Sequence, residues 1–174
     1  MPALRAVAIS GSPRAPSKSK LLAEMMLAEI ARDRYVTSMI DVAALPAEAL
    51  AARATSPAID AAIAEVGAAR IVIAASPTYR ALYTGVMKAF FDLMPPAQLL
   101  GKVCVPIQTG AAAEHFLAIE YGMRPLFASL DGVSIAGVYA TDDQFTDGQP
   151  GERLGARIKS VAATAIALAA RTTA

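Results

Sequence analysis

The pattern of this chain predicts an α/β fold built on a parallel sheet, and three observations carry that prediction. Short apolar runs suited to buried strands alternate five times with longer stretches of helical periodicity. Hydrophobic residues make up 55% of the 174 residues and charged ones 18%, which supports a sizeable core and argues against disorder. No internal repeat, low-complexity tail or linker divides the chain, so residues 1–174 are expected to form one domain. Parallel strands need right-handed crossovers, which place helices on both faces of the sheet.

The first strand is read at Leu4 to Ile9, followed by a loop, Ser10 to Ser17, and a helix from Lys18 to Arg32. Leu21, Leu22, Met25, Met26 and Ile30 recur in that helix at three- and four-residue spacing, the mark of one apolar face. A weaker second strand runs from Tyr35 to Ile40, and Asp41 to Ser56 is alanine-rich and irregular, with Pro46 and Pro57 bounding any helix in it. Ile59 to Val66 reads as helix and Arg70 to Ala75 as a compact buried strand. A loop from Ser76 to Tyr83 precedes a helix, Gly85 to Met94, that Pro95 and Pro96 end. Val103 to Ile107 is the fourth strand. Ala113 to Leu130 reads as a helix that Pro125 must disturb, because its ring removes a backbone donor and crowds the preceding turn. Val133 to Val138 is the fifth strand, and Arg153 to Ala170 a closing amphipathic helix.

Composition narrows the function classes. Lys plus Arg number 16 against 15 Asp plus Glu, without the basic surplus or stripe that nucleic-acid binding needs. One cysteine allows no intrachain disulfide or multi-thiolate metal site, and one histidine no histidine cluster. The N-terminus lacks a signal-peptide layout, and no apolar run is long enough to span a membrane. The mean hydropathy of +0.44 reflects alanine and a buried sheet. A soluble, cytoplasmic protein is expected.

Ligands on such sheets sit beyond the carboxyl ends of the strands, at the switch point in strand order. That rule singles out three loops, after Ile9, after Ala75 and after Ile107. The first holds Ser10, Ser12, Ser17 and Ser19 with Gly11, Arg14 and Lys18, where a helix begins. A helix N-terminus offers free N–H groups and partial positive charge, and an arginine clasps phosphate oxygens bidentately, so a phosphomonoester fits. The plainer reading is a helix cap, for which one hydroxyl suffices. The spacing is neither a GxxxxGK loop nor GxGxxG. The second loop, Ser76 to Gly85, combines Pro77, Thr78, Tyr79, Arg80 and Tyr83, suited to a flat heteroaromatic ligand or, more plainly, to local packing. The third, Thr109-Gly110-Ala111, leaves room for a ligand against main chain. His115 reads as a hydrogen-bonding residue near a site, and Cys104 as an inert core thiol.

At these loops the chain resembles the NADPH-dependent FMN reductase family. The pattern Gly-Ser-x-Arg-x-x-Ser stands at Gly11, Ser12, Arg14 and Ser17; Ser-Pro-x-Tyr and Tyr-x-Gly-x-x-Lys stand at Ser76, Pro77, Tyr79, Tyr83, Gly85 and Lys88. Within the family it is most similar to the flavin reductases of alkanesulfonate monooxygenase systems. That likeness rests on Gly101-Lys102-Val103, Thr109-Gly110, His115, Glu120 to Pro125 and Tyr139 to Asp143.

The resemblance implies a flavodoxin-like three-layer sandwich, a five-stranded parallel sheet of order 2-1-3-4-5, FMN and NADPH as ligands, and hydride transfer from NADPH to FMN. It implies that Ser10, Ser12, Arg14, Ser17 and Ser19 hold the flavin phosphate, that Pro77, Thr78, Tyr79 and Arg80 border the isoalloxazine, and that Thr109, Gly110 and Ala111 frame its other side. Arg80 is the candidate for stabilising charge on the flavin. Tyr121 matches by context a tyrosine that creates a π-bulge at the tetramer interface beside the flavin. A homodimer or homotetramer and a flavin-dependent monooxygenase partner are further implications. Relatives often have Gly-Gly where this chain has Gly110-Ala111, and the likeness fades after Thr146. Two alternatives stay open: a reductase of quinones, azo dyes or metal oxyanions that keeps its FMN, and a non-enzymatic flavodoxin-type electron carrier.

Overall fold

The alternation resolves into a parallel sheet in a computed structural model that describes residues 3–171. Strands β1 (Arg5–Ser10), β2 (Val36–Asp41), β3 (Ile71–Pro77) and β4 (Val103–Gly110) lie in the order β2-β1-β3-β4. The place beyond β4 is shared by two short strands, β5 (Val133–Ser134) and β6 (Val138–Thr141). All these pairings are parallel, which gives the expected 2-1-3-4-5 order and flavodoxin-like sandwich. The helices are α1 (Lys18–Ala31), α2 (Ala47–Leu50), α3 (Pro57–Ala68), α4 (Gly85–Asp92), α5 (Arg124–Ala128) and α6 (Glu152–Arg171).

Successive strand residues face opposite sides of a sheet, so the strands divide their side chains between two cores. Ala6, Ala8, Ile71 and Ile73 cluster with Leu22, Met26 and Ile30 of α1 and Leu154, Ile158 and Val161 of α6. Val7, Ile9, Val72 and Ala74 cluster with Val66 of α3, Met87, Phe90 and Phe91 of α4, and Phe127 of α5. Each fully buried Leu, Ile or Phe contributes roughly 1.5–3 kcal/mol, and the two layers hold the strand ends in a fixed register.

Four elements depart from the sequence expectation. β3 runs on through Ser76 and Pro77, and β4 through Thr109 and Gly110, because Ser76 pairs with Gln108 and Pro77 with Thr109. The expected fifth strand is broken: from Cys104 to Ile107 β4 advances three residues, while its neighbour advances four, from Ser134 to Val138. The extra residue is a bulge. It falls where Pro106 has no N–H for the ladder, and where a Cβ on Gly137 would strike the Pro106 carbonyl oxygen. The expected helix over 113–130 is instead a 3-10 turn (Ala113–Phe116), a π-helical turn (Ile119–Met123) and α5. Pro125 sits in the first turn of α5, where a missing donor costs little. The π turn just before it is the one expected around Tyr121. A hairpin of β7 (Phe145–Thr146) and β8 (Gln149–Pro150) then precedes α6.

Candidate functional site

Local chemistry fixes the loop after β1. Ser17 is extended and its hydroxyl accepts from the Lys20 N–H at 3.2 Å, which starts α1. Ser12 folds the loop on itself, donating to the Arg14 carbonyl at 2.9 Å. Gly11 donates its N–H to the Ala75 carbonyl at 2.8 Å, while Thr84, the N-cap of α4, donates to the Gly11 carbonyl. Gly11 has a packing reason: a Cβ there would lie 2.6 Å from the Met87 Cβ. Ser76 is likewise structural, its hydroxyl accepting from the Thr84 N–H at 3.0 Å.

A cleft of about 1120 Å³ crosses the carboxyl ends of the strands. It brings together Ser10, Ser12, Arg14 and Ser17 of the first loop, Pro77, Thr78 and Tyr79 of the second, and Thr109, Gly110 and Ala111 of the third. Ser19, Arg80 and Tyr121 do not line it. Ser19 lies on the inner face of α1, fully buried, with its hydroxyl 3.1 Å from that of Ser17. Arg80 and Ala81 form the left-handed centre (φ 51° and 64°) of a two-residue turn between Tyr79 and Leu82, and Arg80 is exposed. Turns of this kind normally take Asn-Gly. Tyr121 stands out from the π turn at 78% exposure, whereas its neighbour Gly122 packs under Leu82. His115 also lies outside the cleft.

The electrostatics at the loop are uneven. Lys18 pairs with Asp142 at 2.7 Å and lies over the Phe145 ring, and Lys20 pairs with Asp41 at 2.6 Å. The Asp41 hydrogen bond holds the Lys20 ammonium above its ordinary pKa. Arg14 has no carboxylate partner among the described residues, so its charge is the one the loop offers outward. Ser10 is fully buried, lines the cleft, and its Oγ has no hydrogen-bond partner among the described residues. An orphaned buried hydroxyl costs about 1–3 kcal/mol, so its presence beside a helix start points to an acceptor oxygen. The residues fit a phosphate ester.

The opposite wall is propped by a polar cluster whose buried member, Gln108, sequence reasoning missed. Gln108 is fully buried and its Nε2 lies 3.4 Å from the Thr78 hydroxyl; the Tyr139 hydroxyl donates to the Ala112 carbonyl at 2.7 Å. Burial pushes the Tyr139 phenol pKa up, which keeps it a donor. A Cβ on Gly110 would collide with that hydroxyl, so the turn after β4 needs glycine there. Also missed were Asp41, Ala43 and Ala44 after β2 and the hairpin turn Asp147, Gly148 and Gln149, which border the cleft as well. The signal available for the first was an aspartate ending a strand beside β1. Cys104 is buried and its thiol is pushed up to about 12, as an inert core residue should be.

Known proteins supply the comparison. The family model described as NADPH-dependent FMN reductase matches residues 4–147. An FMN reductase (NADPH) of Escherichia coli is 35% identical over 148 residues, which are 83% of this chain and 76% of that protein. An NADH-dependent FMN reductase, SfnF, of Pseudomonas fluorescens is 32% identical over 171 residues, 95% of this chain and 91% of that one. Among solved structures, the apo form of an NADH:FMN oxidoreductase (EMOB) superposes with a TM-score of 0.86 at 31% identity, covering 92% of this chain and 87% of its own.

Proposed function

The chain belongs to the NADPH-dependent FMN reductase family, and from that premise we propose that its cleft carries FMN reduction by NAD(P)H with the flavin phosphate seated in the β1–α1 loop. The observation that supports this most directly is Ser10, a residue lining the cleft whose hydroxyl is buried and without a hydrogen-bond partner among the described residues. When bound, FMN accepts the hydride that the pyridine nucleotide donates.

The chain's own part is positioning. Ser10, Ser12 and Ser17 surround the phosphate and Arg14 supplies the unneutralised charge. Ser19 supports Ser17 without touching ligand. Pro77, Thr78 and Tyr79 border one side of the ring and Thr109, Gly110 and Ala111 the other. Arg80 and Tyr121 act from outside the cleft, through the turn that carries Tyr79 and through the π turn behind it. Stacking two rings and excluding water requires no protein nucleophile.

The reading extends to the whole chain as one domain in the cytoplasm. No helix among the described residues is long and apolar enough to cross a membrane. Exposed Leu82, Phe116, Leu117 and Tyr121 supply an apolar face for a homodimer or homotetramer. Reduced flavin would be released to a flavin-dependent monooxygenase. The test is steady-state oxidation of NADPH and of NADH with FMN, riboflavin and a quinone as acceptors, after dialysis. FMN-dependent turnover with flavin lost on dialysis is expected; quinone reduction by retained flavin would favour the resident-flavin reductase, and no oxidation with FMN the electron carrier.

A further inference from the structure

The cleft does not stop at the phosphate loop. Because β2 lies on the far side of β1 from β3, residues that follow β2 extend it in the direction opposite to the ring-binding turns. This second lobe is lined by Lys20, Leu21 and Glu24 of α1 and by Asp41, Ala43 and Ala44 after β2, with the Asp147–Gln149 hairpin turn also on the cleft. Leu21 and Glu24, three residues apart, share one face of α1. Leu21 is only half-buried, so an apolar side chain lies open beside the phosphate loop. Ala43 and Ala44 are exposed and small.

The polar groups of this lobe are chiefly acceptors. The Asp41 carboxylate accepts from the Ala43 N–H at 3.2 Å and from Lys20, and at 35% side-chain exposure it keeps lone pairs free. Lys20 is neutralised by Asp41, with Glu24 adding to the negative field on it, and Lys18 by Asp142, while Glu24 and Asp147 form no salt bridge among the described residues. A lobe with an open apolar side chain, small walls and surplus carboxylates suits a flat base whose donors are an exocyclic amine and ribose hydroxyls. In Rossmann dinucleotide folds, whose glycine fingerprint this chain lacks, an acidic residue about 20 residues past that fingerprint serves the adenine ribose in the same way.

We propose that this lobe is an adenosine subsite, continuous with the phosphate loop, for the adenosine half of a dinucleotide. The inference rests on the phosphate reading of the β1–α1 loop. Two dinucleotides carry that half, FAD and the pyridine nucleotide, and the carboxylates disfavour the 2′-phosphate that distinguishes NADPH from NADH. The subsite is tested by calorimetric titration of FMN, FAD and riboflavin into the wild-type chain, the lobe-filling variant Ala44→Trp and the milder Leu21→Gln. A second arm measures the KM for NADH and for NADPH at saturating FMN.

If FAD is the source, wild type binds FAD at least as tightly as FMN. Ala44→Trp then weakens FAD about tenfold and Leu21→Gln a few-fold, with FMN moved less than twofold. If the pyridine nucleotide is the source, the KM for NADH rises in both variants by similar factors while the KM for NADPH and the FAD affinity hold. Unchanged FAD affinity and unchanged KM in both variants would overturn the subsite, as would equal losses of FMN and FAD in the milder variant. Wild type binding FMN no better than riboflavin would instead remove the phosphate reading beneath it.

Discussion

The β1–α1 loop and the stretch from Ala111 to Thr146 both leave a strand end at the cleft, yet they treat their backbones in opposite ways. The first closes on itself: Ser17 caps α1, Gly11 bonds Ala75, and Thr84 ties the loop to α4. The second begins its 3-10 turn at Ala113–Phe116, its π turn and α5 without a side-chain cap. It leaves Phe116, Leu117 and Tyr121 exposed. A loop folded by these bonds, with Ser10 Oγ unpartnered among the described residues and the Arg14 charge unpaired there, is prepared for a small anion. A segment of mixed helix types with open apolar side chains is prepared for a larger surface.

The strongest way to break the second region is at its bulge. Gly137→Ala drives a Cβ into the Pro106 carbonyl and is expected to cost about 3 kcal/mol in urea denaturation, whereas Gly85→Ala, with nothing within 4 Å, should cost under about 1 kcal/mol. In the first region, Arg14→Ala should weaken FMN binding by about 1–3 kcal/mol while the melting temperature holds; a parallel fall in both would make Arg14 structural. Ser17→Ala should lower stability by about 1 kcal/mol through the lost cap, detected by thermal unfolding. Smaller still, Ala81→Gly should raise stability by up to about 1 kcal/mol, since Ala81 has φ 64°. Near neutral pH Cys104 contributes no slope. Burial raises its folded pKa from 9.0 to about 12, so its share of stability is complete below pH 9 and is lost as pH rises towards 12. Cys104→Ala should flatten that alkaline limb, and an unchanged limb would assign the slope to other groups.

The first region was legible because its signals are local. A serine cap, a glycine and an apolar face within twenty residues describe a strand, a loop and a helix wherever they occur. Ser19 shows the limit of such signals: hydroxyl count does not reveal which face of α1 a serine occupies, and Ser19 falls beside Leu22 and Ala23 in the core. The rest depended on distant residues. Lys18 meets Asp142 across 124 positions, and that contact brings the hairpin to the cleft. The break in the fifth strand requires Pro106 opposite Gly137, and neither residue signals it alone. Pro125 announced a disturbed helix, but its remedy, a π turn placed just before it, came from the resemblance around Tyr121 and not from periodicity.

The most direct test compares FMN with riboflavin, which differ only in the phosphate, by calorimetry on wild type and Arg14→Ala. Binding of FMN at least tenfold tighter than riboflavin in wild type, with most of that gap closed in the variant, is the predicted result. Equal affinities for the two flavins in wild type would contradict the account, because the loop after β1 would then hold no phosphate.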